Sequence, residues 1–169
     1  MEELKLPTEQ VELPSKGLVY PKDNPLSSGV VEMKYMTAKE EDILTNQNYI
    51  SNGTVLDKLL ESLVISEGVK VKDLIVGDKN AVLDYTFSYD NTEHKVDLST
   101  LEPKHFDELL ITPGVNEFEF KLPKSGNTIK YKLLTGHDES KIDREIKGLK
   151  KIDKNASPDL STRLKYLLL

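Results

Sequence analysis

Three histidines, at positions 94, 105 and 137, are the residues of this chain best suited to metal or acid–base chemistry. They fall in separate segments, and no two have the helix or strand spacing that puts a pair of imidazoles on one ion. His137-Asp138 has the form of the histidine–aspartate dyad of metal-dependent phosphohydrolases, but no matched histidines accompany it. A loop pair opening a helix is the simpler reading. Gly77-Asp78-Lys79 follows an apolar run as a phosphate loop would, yet the earlier glycine and the following Ser or Thr are missing. Asp78 reads instead as the cap of a short helix. Gly126 is explained by a hairpin turn needing positive φ. Glu40-Glu41-Asp42 lies where a helix N-terminus favours negative charge. No serine or threonine sits in a nucleophile-elbow pattern. With no cysteine, disulfides, thiolate metal sites and cysteine nucleophiles are all excluded.

The composition points the same way. Net charge is −6, from 23 basic and 29 acidic residues, which argues against nucleic acid as a partner. The one basic run, Lys141–Lys154, alternates with Asp143, Glu145 and Asp153 and reads as a solvated helix face. Apolar residues make up 37% of the 169, so only a modest core is available. No apolar run approaches the ~20 residues that span a bilayer, and the polar start MEELKLPTEQ is no signal peptide.

The elements that would position these residues are short. Pro7, Pro14, Pro21 and Pro25 make residues 1–29 read as an extended arm with a turn at Ser15-Lys16-Gly17. A small α+β body over 30–169 follows. Val31, Met33 and Tyr35 alternate with charged residues as in a half-buried strand. Thr37 and Glu40 form a capping box for a helix burying Ile43 and Leu44. Thr54 caps a second helix with Leu56, Leu59, Leu60, Leu63 and Val64 on one face. Val69–Val76 reads as a strand or helical turn. A hairpin is expected from Tyr85–Tyr89 and Lys95–Leu98, and a helix over 102–110. A second hairpin pairs Phe118, Phe120 and Leu122 with Ile129, Tyr131 and Leu133 around PKSGN. Ile142, Ile146 and Leu149 mark another helix. Ser157-Pro158 starts a last one carrying Leu160, Leu164, Leu167 and Leu168. Hairpins and helices without β-α-β alternation indicate α+β.

Several strings carry a resemblance. They are LPSKG with Tyr20-Pro21, Leu26–Gly29, MTAKEEDILTNQN at Met36–Asn48 and GTVLDKLLESL at Gly53–Leu63. VGDKNAVL at Val76–Leu83, Gly114–Thr135 and Asn155–Asp159 complete the set. In these the chain resembles the baseplate hub (central spike) assembly proteins of T-even-type contractile-tailed phages. The resemblance spans most of the chain and names no catalytic residue. It implies a non-enzymatic protein that helps build the tail-tip hub by binding hub, spike or tape-measure proteins. It would act in the host cytoplasm during assembly, or stay in the virion baseplate as a minor subunit. Family members run on through a longer helix after the position of Leu83, where Asp84-Tyr85 stands here. Some carry cysteines that could hold zinc; this chain has none, so no metal role carries over and no cofactor is expected.

Binding is therefore the expected mechanism, with Leu13, Tyr20 and Pro21 anchoring the arm on a partner. The chain closes on LKYLLL. That apolar end is expected to associate or to continue into further natural sequence, which makes Tyr166, Leu167 and Leu168 further contact candidates and an oligomer conceivable. The alternative from another class is a metal-dependent hydrolase using His137 and Asp138.

Overall fold

The computed structural model describes residues 7–88, 111–152 and 157–169. It is α+β: six helices and two antiparallel two-stranded sheets among the described residues. β1 (Thr8–Glu12) pairs with β2 (Val30–Lys34) from Thr8 opposite Lys34 to Glu12 opposite Val30. The alternation of apolar and polar residues gives this ribbon one buried face, holding Val11, Val31 and Met33. Three helices follow, α1 (Ala38–Thr45), α2 (Gln47–Asn52) and α3 (Val55–Leu63). Leu59, Leu60 and Leu63 of α3 are buried as their spacing predicts, whereas Leu56 at the first turn is exposed. The exit of α3 returns to the ribbon: Val64 bridges Met33, and Ile65 N–H donates to the Glu32 carbonyl.

Residues expected as an arm lie against this body. Between β1 and β2 the chain makes tight turns and a 3-10 turn at Pro25–Ser28, and Leu13, Val19, Tyr20 and Leu26 enter the core. The turn at Ser15-Lys16-Gly17 is present, with Lys16 at φ 52° and Gly17 at φ 76°. Gly17 and Gly29 meet back to back. A Cβ on Gly17 would sit 2.5 Å from the Ser27 carbonyl oxygen and 2.6 Å from Gly29 N, so only glycine fits.

The segment Val69–Val76 contains a 3-10 turn, Val71–Asp73, and then opens α4 (Val76–Ser88). Here the expected strand from Tyr85 gives way to helix, because α4 runs on without a break to Ser88. Strand-forming Tyr85, Thr86 and Phe87 are overridden by a helix already anchored at its start, an instance of context outweighing propensity. The expected strand Lys95–Leu98 and the helix over 102–110 lie outside the described residues.

The second hairpin forms as read. β3 (Phe118–Lys121) pairs with β4 (Thr128–Tyr131), and the Phe118 and Tyr131 rings stack with centroids 5.5 Å apart. Hydrogen bonds tie it to the first half: Val76 N–H to the Leu134 carbonyl, Gly136 N–H to Leu74 and Gly114 N–H to Leu18. α5 (Gly136–Ile152) and α6 (Asp159–Leu167) pack on each other, and Leu168 bridges Tyr131 on the outer side of β4. The last helix starts after Pro158, one residue later than expected, with Pro158 itself at the cap. Among the described residues, no helix is long and apolar enough to cross a membrane.

Candidate functional site

Two regions bring together residues that the sequence leaves far apart. The first is a buried polar knot. Asp78, in the first turn of α4, is fully buried, and its carboxylate accepts hydrogen bonds from Tyr20 Oη (2.6 Å), Ser15 Oγ (2.6 Å) and Ser15 N–H (3.0 Å). Tyr20 Oη in turn accepts from Ile75 N–H at 3.0 Å. A carboxylate at 0% exposure needs several donors to stay in the core. It has three here, and its place in the first turn of a helix adds the favourable end of the macrodipole. Burial is the main reason the Tyr20 hydroxyl is pushed far above the ordinary tyrosine range, and the adjacent Asp78 carboxylate reinforces it. Tyr20 therefore stays a hydrogen-bond donor. Beside the knot lies an apolar hollow of about 350 Å³, walled by Val19, Ile75, Phe118, Tyr131 and Leu133.

A second carboxylate, Glu40, closes the capping box of α1 and is also fully buried. Burial alone would raise its pKa. Hydrogen bonds from Lys34 Nζ (2.8 Å), Ser62 Oγ, and Thr37 N–H (2.9 Å) outweigh that and hold it at about 2. Both carboxylates are held by donors from their own chain, Asp78 by Ser15 and Tyr20 and Glu40 by Lys34, Ser62 and Thr37.

His137 and Asp138 turn to different partners. His137 is exposed, and its Nε2 lies 3.0 Å from Asp73 Oδ1. Asp138 is buried and turned to Lys132 Nζ, 2.9 Å from each of its oxygens, and to Thr135. Burial works against its charged form, but Lys132 and the Thr135 donors prevail and lower its pKa. The two side chains are thus turned apart: Asp138 is the N3 residue of a capping box at the start of α5, and His137 makes a surface hydrogen bond with Asp73. Among the described residues, no three His, Cys, Asp or Glu converge where a metal ion could sit.

The second region is the outer face of α5 and α6. Thr162 is buried and Tyr166 half-buried against α5, with Tyr166 Oη donating to Glu145 at 3.0 Å. Leu160, Leu164 and Leu168 point the other way and are exposed, as are Leu169 on the tail and Ile152 on α5. Lys141, Arg144, Lys147 and Lys151 are exposed along α5, in keeping with a solvated helix face.

Measured against these two regions, the expected partner contacts divide. Leu13 and Tyr20, 2% and 5% exposed, are core residues here, so their side chains hold the chain's own fold rather than reach out. Pro21 is exposed. At the other end Tyr166 and Leu167 are half-buried and Leu168 is exposed. Sequence reasoning missed Asp78 as an organiser of the fold. No local signal could have found it, because its partners stand 58 and 63 residues away. No family model, curated protein or solved structure matches this chain.

Proposed function

We propose that this is a non-enzymatic protein that takes part in assembling the baseplate hub of a T-even-type contractile phage tail, acting by protein–protein binding. The observation that carries the reading is where the resembling strings go. LPSKG with Tyr20 and VGDKNAVL, which look like the hub assembly family, supply Ser15, Tyr20 and Asp78 to one buried knot. Strings that lock together in the core bear on a shared fold, and the step from that fold to a role in assembly is an analogy at the level of the fold. Carboxylates held by their own chain and His137 and Asp138 side chains turned apart also favour binding over catalysis.

The surface for that binding is the α5–α6 face and the exposed parts of the β1–β2 turn around Pro21, not the buried side chains of Leu13 and Tyr20. The protein would act in the host cytoplasm while tails assemble. The test is a phage in which the gene for this chain is interrupted. The reading expects full heads and tail components without assembled hubs, restored by supplying the chain in trans. Infectious particles with normal tails in its absence would refute it.

A further inference from the structure

We propose that the outer edge of β1 is a docking edge for an extended, basic segment of a partner protein, which adds to the β1–β2 ribbon as a third strand. The proposal stands apart from the assembly reading and uses a different surface from the α5–α6 face. Leu13 N–H donates to the Gly29 carbonyl at 2.8 Å, continuing the β1–β2 register by one pair. Backbone groups alternate in direction along a strand. Glu9, Val11 and Leu13 therefore turn theirs to β2, and Thr8, Gln10 and Glu12 turn theirs away. Glu32, opposite Gln10, has the same phase: its N–H donates to Ser66 Oγ at 2.6 Å and its carbonyl accepts from Ile65 N–H at 2.9 Å. The far edge of β2 is thus covered by the chain itself. So is that of β4, where Lys132 N–H donates to the Leu167 carbonyl and Leu169 N–H to the Lys130 carbonyl. The edge of β1 is open: among the described residues, the outward backbone groups of Thr8, Gln10 and Glu12 have no partner, and all three residues are exposed.

The edge and the charge beside it name the occupant. Outward donors and acceptors recur at every second residue, ~7 Å apart, a repeat that another extended backbone matches. The side chains fix the sign. Thr8, Gln10, Glu12 and Glu32 share the face of the ribbon opposite the buried Val11, Val31 and Met33. Lys34, at the end of that face, is taken up by the buried Glu40 at 2.8 Å. Glu32 accepts from Thr8 Oγ1 at 2.7 Å, and among the described residues neither Glu12 nor Glu32 has a cationic partner. A lysine or arginine on the added strand beside Glu12 meets an uncompensated carboxylate, whereas an acidic residue meets like charge. The same acids blunt the edge against a second copy of this chain, itself at −6. The edge of β3 differs. Glu119 pairs with Lys130 at 3.3 Å and Lys121 stands beside it, so its two signs select no partner.

The probe is a short synthetic peptide alternating lysine and valine, with a glutamate–valine peptide as the charge control. Added to the full chain, the lysine peptide should slow hydrogen exchange at the Gln10 and Glu12 amides, read by NMR, and the glutamate peptide should not. Gln10→Pro removes an outward N–H and no hydrogen bond of the β1–β2 ladder. It should keep its circular dichroism and bind the lysine peptide roughly three- to tenfold more weakly. Glu12→Lys, at an exposed position, should weaken binding of the lysine peptide and gain binding of the glutamate peptide. Absence of lysine-peptide binding to the folded chain overturns the proposal. So does binding that both substitutions leave unchanged, equal binding of the two peptides, or protection at Glu119 and Lys121 of β3 instead of β1. If Gln10 and Glu12 become protected on concentrating the chain alone, the occupant is a second copy and the basic partner is refuted.

Discussion

Tyr20 and Asp78, 58 residues apart, share a 2.6 Å hydrogen bond in the core, and it fastens the turn-rich N-terminal segment to the start of α4. Tyr20 also accepts from Ile75 N–H, so one phenol links three stretches of chain. Tyr20→Phe keeps the ring and removes both hydrogen bonds. It should lower stability by about 1–3 kcal/mol, read as a fall in the urea midpoint with an unchanged slope. Asp78→Ala, which strands three donors, should cost more, about 3–5 kcal/mol.

The same pair sets an alkaline limit. The folded Tyr20 hydroxyl is raised above the ordinary tyrosine value of about 10, to which it returns on unfolding. A group raised in the folded state contributes fully below its unfolded pKa and loses that contribution as pH climbs. Stability should therefore fall above about pH 10, and Tyr20→Phe should flatten that fall. Equal alkaline slopes in the two proteins would contradict the assignment.

Glu40 sets the acid limit with the opposite sign. Its folded pKa, about 2, lies below the ordinary glutamate value near 4.3, so its contribution is present above that value and is lost as pH drops towards 2. Glu40→Gln should lower the melting temperature at pH 7 and narrow the gap between variant and parent as pH is lowered from about 5 to 2.

Gly17 and Gly29 test the turn. Either one changed to Ala meets backbone atoms at 2.5–2.7 Å and should cost about 2 kcal/mol or more. Gly53→Ala is the control. Gly53 has a similar positive φ, 69°, but open space around it, so only the backbone term of about 1 kcal/mol applies.

His137→Ala should change stability by no more than about 0.5 kcal/mol, because its partner Asp73 is met at an exposed surface. A large loss in phage assembly from this substitution, with the fold intact, would revive a site at His137.

What the sequence revealed depended on range. Elements governed by local pattern were legible: the β2 alternation, the Thr37–Glu40 box, the leucines of α3 and the Phe118–Tyr131 hairpin. Interactions across the chain were not. Four prolines and little periodicity read as an extended arm, yet Leu13, Val19 and Tyr20 share one buried cluster with Leu59, Leu74 and Val82 from far along the chain. Asp78 looked like a simple helix cap because its donors come from that arm. Leucines at helical spacing looked alike in α3 and α6, although one face is inward and the other outward. Periodicity defines a face; only the fold decides what the face meets.

A consequence concerns deletion experiments. Removing residues 1–29 takes away β1 and the core side chains Leu13, Val19, Tyr20 and Leu26, so such a truncation tests folding before it tests docking. Intact chains with point substitutions are the right reagents.

The most direct test of the proposed function is capture. The full chain, co-expressed with the hub, spike and tape-measure proteins of its phage, should retain at least one hub component through size-exclusion chromatography. Retention should survive His137→Ala and weaken with substitutions on the exposed α5–α6 face. If a folded chain retains no tail protein, the resemblance reflects shared ancestry of the fold alone, and the assembly role is wrong.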